Sequence, residues 1–431
     1  MSARGSSFIT NHFLNINRNA RVVAFTMMAQ SMLLTAGHTY YTLYLAAYDF
    51  SKDQIGIVAS LKNLCMLIGS FFAGGIVDRI GRRWGLQIGN WFNMALFFIV
   101  SALFPFFPVV CILAVFFGLG TSLSNVAYEC IIIENAENHS EIPRTRMTIR
   151  LIFLVFSPLL LPLCSYYIAR FPLKEAGPVI LFTAGGLMAV IFIIRHLLLE
   201  ETGVGRKKMS ERNPIHPVFL LSETLTHLKE ILAHPPYAIS LGLMISNGFL
   251  HGIYSSFIFL YFVESLSLNQ AYIGLIHTVS IYGTAGLLLL GIPFFSRLKW
   301  RNEGVILGFL ILTLIGCLIL TGLEAEKTFL IALSAIMIYI GLGLTEIYIL
   351  SDWLTIAPPE KRSGFISVAG AASSFLNAGV LYLSGLCYQR FPMSIPTILL
   401  VILAGTVILA IQNWRYRKNR FKDFADNLAN I

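Results

Sequence analysis

Apolar runs of about twenty residues, separated by short polar breaks, repeat along the whole chain. A helix needs ~20 mostly apolar residues to cross a bilayer. The pattern therefore predicts twelve spans, near 22–46, 55–77, 86–105, 108–133, 146–169, 177–199, 237–263, 271–295, 304–322, 328–353, 364–388 and 393–414. The longest polar break, Glu200 to Pro236, follows the sixth span. It holds Arg206, Lys207 and Lys208, then VFLLSETLTHLKEILAH (Val218–His234), an amphipathic stretch expected to lie on the membrane surface. The expected domains are an N-terminal six-helix bundle (1–199), a linker (200–236) and a C-terminal six-helix bundle with a basic tail (237–431). The expected fold class is an all-α membrane protein.

Several spans carry polar residues at helical spacing. Span 1 has Ser31, Thr35, His38 and Thr42; span 4 has Thr121, Ser122, Asn125 and Glu129. Span 7 has Asn247, His251, Tyr254 and Ser255; span 11 has Ser367, Ser374, Asn377 and Ser384. Polar groups at membrane depth must face protein or water. Spans 6, 9 and 12 are nearly pure hydrocarbon and read as the lipid-facing set. The halves also echo each other. His38 and Tyr41 recur as His251 and Tyr254, Arg170-Phe171-Pro172 as Arg390-Phe391-Pro392, and Gly118-Leu119-Gly120 with Glu129 as Gly341-Leu342-Gly343 with Asp352. The offsets of 213, 220 and 223 residues suggest a duplicated six-helix unit, an arrangement that places a transporter's site at the repeat interface.

Composition sharpens this picture. The chain is 56% hydrophobic and 12% charged, against ~25% charged in soluble domains. The net charge of +9 sits in short clusters between spans, which argues for membrane topology and against nucleic acid. Of the 31 Lys and Arg residues, 23 fall in the tails and alternate loops on one side and five in the opposite loops. This bias predicts a plasma-membrane protein with both termini cytoplasmic. All six cysteines lie within spans, without disulfide or metal-ligand spacing. No metal or other cofactor is expected.

The loop between spans 2 and 3 reads GGIVDRIGRRWG, with one acid, three arginines and four glycines in twelve residues. Arginines anchor a cytoplasmic loop, but the positive-inside effect does not account for Asp78. Gly74-x-x-x-Asp78-Arg79-x-Gly81-Arg82-Arg83 closely resembles the signature loop of the major facilitator superfamily, in spelling and in position. The resemblance implies two pseudo-symmetric six-helix bundles, a central cavity and alternating access. It also implies that Asp78 latches against the start of span 11, here Arg362-Ser363-Gly364, where a helix N-terminus favours a carboxylate. The second copy, Gly291 to Asn302, has no acid. The chain departs from the drug–proton antiporter branch, with Ala114 in place of an arginine and Phe156–Pro162 in place of a Gly-Pro-rich run.

The remaining charges at membrane depth are the candidate chemistry. Glu129 and Arg150 fall at similar depth and are expected to form a gating or structural ion pair, with Asp352 as the second-half analogue. Lys62, ~10 Å into span 2, reads either as a lysine snorkelling outward or as an attractor for an anionic substrate. Glu346 is the candidate proton carrier. His38, Tyr41, Asn125, Asn247, His251, Tyr254, His277 and Asn377 complete the expected substrate site, with Tyr282 adding aromatic surface. No nucleophile-and-base set is visible, so an enzyme is not expected. The reading is a monomeric secondary active transporter of a small amphipathic organic anion, driven by protons or another coupling ion. An uncoupled facilitator, a drug or metabolite exporter, and a non-transporting receptor or scaffold are the alternatives.

Overall fold

The computed structural model describes residues 17–134, 141–211, 217–297, 302–323, 327–356 and 362–429. Its long helices follow the twelve predicted spans: α1 (Arg18–Ala47), α2 (Lys52–Ile80), α3 (Arg82–Leu103), α4 (Phe107–Glu134), α5 (Glu141–Phe156 and Leu161–Arg170), α6 (Leu173–Leu198), α7 (Pro235–Glu264), α8 (Ala271–Arg297), α9 (Asn302–Thr321), α10 (Thr328–Ile356), α11 (Arg362–Arg390) and α12 (Ser394–Ala429). Eleven of them contain stretches long and apolar enough to cross a membrane. The other, α1, is 30 residues long and owes its greater polarity to residues such as Gln30, Ser31 and His38. Two shorter helices, Gly203–Glu211 and Pro217–Ala233, occupy the linker.

Local chemistry sets the boundaries. Ser51 and Gln54 form a capping box at the start of α2, where the Ser51 N–H donates to Gln54 Oε1 at 3.1 Å. Gly81, at φ +90°, ends α2 and opens α3 in a conformation open to glycine at little cost. Ser157–Leu160 interrupts α5, because Pro158 and Pro162 each lack an N–H and crowd the preceding turn. Single π-helical turns at Trp91–Ala95 in α3 and Tyr254–Ile258 in α7 shift the phase of the side chains that follow.

Two compact units divide the chain: Met1–Leu220 with Gln270–Tyr282, and Leu221–Asn269 with Gly283–Ile431. In the first, Val23, Ala73, Val77, Leu86, Ala127 and Ile131 form a common core of α1–α4. The α2–α4 contact is tightest at Gly118, where a Cβ would lie 2.3 Å from the Lys62 carbonyl oxygen. In the second, Trp353 is fully buried and clusters with Ile231 of the linker, Leu241, Val368 and Ala369. Val179, Phe182, Val190, Ile193 and Leu197 leave one apolar face of α6 exposed. In a chain of this composition, lipid is the solvent for such a face.

Candidate functional site

Three clusters gather the predicted residues, two in the first unit and one in the second. The loop after α2 builds the first. Asp78 pairs with Arg82 Nη1 at 2.7 Å, and Arg82 is almost fully buried. Its other edge grips Glu134, with Nη2 donating to Oε1 at 2.8 Å and Nε at 3.1 Å. Glu134 also accepts the Thr202 hydroxyl at 2.5 Å. Glu201 sits over the N-terminus of α3, its carboxylate accepting the backbone N–H groups of Arg82 (3.1 Å) and Arg83 (3.0 Å). A carboxylate there satisfies two orphan donors and the positive end of the helix dipole. Arg83 Nε donates to the His196 carbonyl at 2.8 Å. Gly74 and Arg79 are exposed on this face. The loop is thus a folded polar knot tying the ends of α2, α4 and α6 to the start of α3.

The second cluster surrounds Lys62. Its ammonium lies 4.8 Å from the ring centre of Tyr41 on α1, 4.2 Å from Phe97 on α3 and 4.5 Å from Phe117 on α4. All three distances fall within cation–π range. The Gly118 contact brings the Lys62 backbone against α4 beside Phe117, and the π turn of α3 ends just before Phe97. His38 packs edge-on against Phe98 and Phe117, with centroids 5.2 and 5.9 Å apart. Among the described residues no carboxylate lies within ion-pair distance of Lys62.

In the second unit, His251 Nε2 on α7 faces Glu346 Oε2 on α10 at 3.7 Å. Both side chains are partly exposed, while the His251 Nε2 atom itself is buried. Tyr254, one turn further along α7, donates to the Ala335 carbonyl at 3.4 Å. Asn247 is buried, and its Oδ1 accepts no hydrogen bond from the described residues. Asn377 of α11 lies against Gly252 of α7.

The decisive comparison is with protein families: the Major Facilitator Superfamily model matches residues 22–380. The chain belongs to this superfamily. It is a multi-pass membrane transporter with the superfamily's twelve-helix fold. No curated protein matches the sequence. Solved structures that share the superfamily fold include the nucleoside transporter NupG (14% identity, 93% of this chain and 99% of that chain, TM-score 0.67). A POT family transporter in complex with a thioalcohol-conjugated peptide matches at 13% identity over 93% and 96%, with TM-score 0.70. The xylose transporter XylE from E. coli, in a partially occluded inward-open conformation, matches at 15% over 94% and 98%, with TM-score 0.63.

Within the superfamily frame the remaining predicted residues are dispersed. His277 on α8 meets the Thr39 hydroxyl through Nδ1 at 2.8 Å. Asn125 is exposed on α4. Glu129 is half-buried, and Arg150 is exposed with its guanidinium 5.9 Å from the Phe153 ring. The side chains of Asp352, Arg362-Ser363-Gly364 and the second signature copy from Gly291 to Asn302 lie outside the described residues. Sequence reasoning missed Glu134, Glu201 and Thr202. Their signal was position: acids at the ends of spans 4 and 6, on the side where the signature arginines gather. It also missed Phe97 and Phe117, which in an apolar run look like any other phenylalanine. Among the described residues no group of three or more His, Cys, Asp or Glu side chains is placed to hold a metal ion.

Proposed function

We propose that the chain is a proton-coupled secondary active transporter of a small amphipathic organic anion, with 1–199 and 237–431 as its moving halves joined by the 200–236 linker. The observation that carries the coupling is the His251–Glu346 pair, 3.7 Å apart on α7 and α10. A carboxylate and an imidazole are side chains suited to carrying a proton at membrane depth, and here they face each other from two helices. Lys62 supplies the positive charge for the anion, and the aromatic surface around it suits an apolar body. Asp78 acts as one side of a cytoplasmic latch, and Glu129–Arg150 as a second ion pair near it. The working unit is a monomer in the plasma membrane, with both termini and the linker cytoplasmic, as the 23-to-5 basic bias supports.

The test uses proteoliposomes with an internal pH dye, presented in turn with a panel of organic carboxylates. A coupled solute changes internal pH as it enters. Glu346→Gln is expected to abolish this proton movement while leaving solute exchange across the membrane intact. Solute entry with no proton movement in the wild type refutes coupling and leaves the uncoupled facilitator. For topology, single cysteines at Ser6 and Asn427 in a cysteine-free background are expected to resist impermeant thiol reagents in intact cells. Labelling from outside overturns the orientation.

A further inference from the structure

The surroundings of Lys62 have a second meaning that the transport reading does not use. Three aromatic faces from three different helices converge on one ammonium, at 4.2–4.8 Å from the ring centres. The rings also hold one another. Tyr41 and Phe97 pack at 4.9 Å, as do Phe97 and Phe117. The Tyr41 hydroxyl is tied to Ser101 Oγ at 3.2 Å, and Tyr41 and Phe97 are buried. The cage is therefore built by α1, α3 and α4, while the cation arrives from α2.

Ring faces carry negative quadrupole potential, which attracts cations and disfavours anions. In a low-dielectric bundle this preference is less screened than in water. A lysine that only snorkelled would extend toward the membrane surface; this one is turned onto three rings. We propose that Tyr41, Phe97 and Phe117 form a monocation site with Lys62 as its tethered occupant, and that the site takes a primary alkylammonium when the lysine head is withdrawn. Exchange of one ammonium for another leaves the number of positive charges in the bundle unchanged. Lys62 is in this sense a built-in competitor that keeps a solute ammonium out of the intact site. The proposal rests on the cage alone and is an alternative to the anion reading for the Lys62 head; the preference for ammonium over the matched alcohol tests it apart from any transport assay.

The probe is n-propylammonium chloride, which carries the three carbons and the ammonium that Lys62→Ala removes. Thermal unfolding of the full-length protein in detergent is followed for wild type and Lys62→Ala, with n-propanol and sodium chloride at matched concentrations as controls. Lys62→Ala is expected to be stabilised saturably, with n-propylammonium binding at least about tenfold more tightly than n-propanol, in line with a desolvated cation–π contact. Wild type, its site filled, is expected to respond no more than it does to sodium chloride. Adding Phe97→Leu and Phe117→Leu to Lys62→Ala is expected to remove the preference for the ammonium. Equal stabilisation by n-propanol makes the cage a plain apolar hole and overturns the proposal. Absence of saturation, or an equal response in wild type, overturns it as well. If Lys62→Ala is too unstable to purify, recovery of monodisperse protein is measured instead with each additive present throughout. Recovery with n-propylammonium and not with n-propanol supports the site; equal recovery, or none with either, refutes it.

Discussion

The two units share a frame and differ in what they do with charge. In the first, buried or partly buried cations are held by dense local contacts. Arg82 spans Asp78 and Glu134, Lys62 rests on three rings, and Arg195 donates to Thr26 and Gln30 from a fully buried position on α6. In the second, the described charge at membrane depth is Glu346, half-exposed and facing His251 at 3.7 Å. Fixed, compensated charges make a scaffold, whereas the His251–Glu346 pair is partly exposed and is where the proposed proton coupling would act. The two units therefore differ most in that the first carries the buried ion-pair network and the second the His251–Glu346 pair.

The largest expected effect lies in the rigid network. Arg82→Ala strands Glu134 in a nearly buried site and is expected to cost about 3–5 kcal/mol, read as a fall in the unfolding midpoint of the purified protein. Adding Glu134→Gln should recover part of that loss. No recovery in the double variant would show that the two side chains are not coupled.

The glycine pairs test how far the duplicated frame really matches. By spacing alone, Gly118 aligns with Gly341 and Gly120 with Gly343. In the structure Gly118 abuts α2 at the Lys62 carbonyl, whereas Gly341 abuts α9 at the Phe309 carbonyl and Thr313. Gly120 abuts α3 at Gly89 and Asn93, and Gly343 stands 3.6 Å from Thr284 of α8. Gly120 and Gly341 are therefore the equivalent pair, with an offset of 221, close to the 220 of the Arg-Phe-Pro repeat. Alanine at 118, 120 or 341 would meet backbone atoms within 3 Å and is expected to cost about 1–3 kcal/mol each. Gly343→Ala is expected to be neutral or to stabilise by a few tenths to about 1 kcal/mol, as alanine does in an open helix position. Equal losses at 341 and 343 would restore the alignment read from spacing.

Smaller effects follow at the helix end and at the second proposed ion pair. Glu201→Ala removes the acceptor over the α3 N-terminus and is expected to cost about 0.5–2 kcal/mol, while Glu201→Gln should retain part of the cap. A double-mutant cycle on Glu129 and Arg150 is expected to give a coupling energy of about 0.5–1 kcal/mol, given the exposure of Arg150. Additive losses there would remove the pair from the gating scheme. The smallest stability change, under about 0.5 kcal/mol, is expected for Glu346→Gln. That variant should nevertheless remove the proton movement that accompanies transport, and unchanged proton movement would end the contrast between a scaffolding first unit and a proton-coupling second.

The sequence by itself determined the helices, their order and the superfamily. Twenty-residue apolar runs permit one backbone solution in hydrocarbon, and Gly81, Pro158 and the Ser51–Gln54 pair mark ends and breaks through local rules that need no partner. It also placed Asp78 and Arg82 in one motif, four residues apart across the Gly81 break. Tertiary structure alone decided who answers those charges. Glu134 and Glu201 reach Arg82 and Arg83 across intervals of 52 and 118 residues. Lys62 finds its three rings on α1, α3 and α4 because a glycine lets α2 approach α4 and a π turn shifts the phase of α3. Helical periodicity fixes which residues share a face, but the neighbour that face meets depends on interhelical contact, crossing and phase, and no single-helix pattern carries that information.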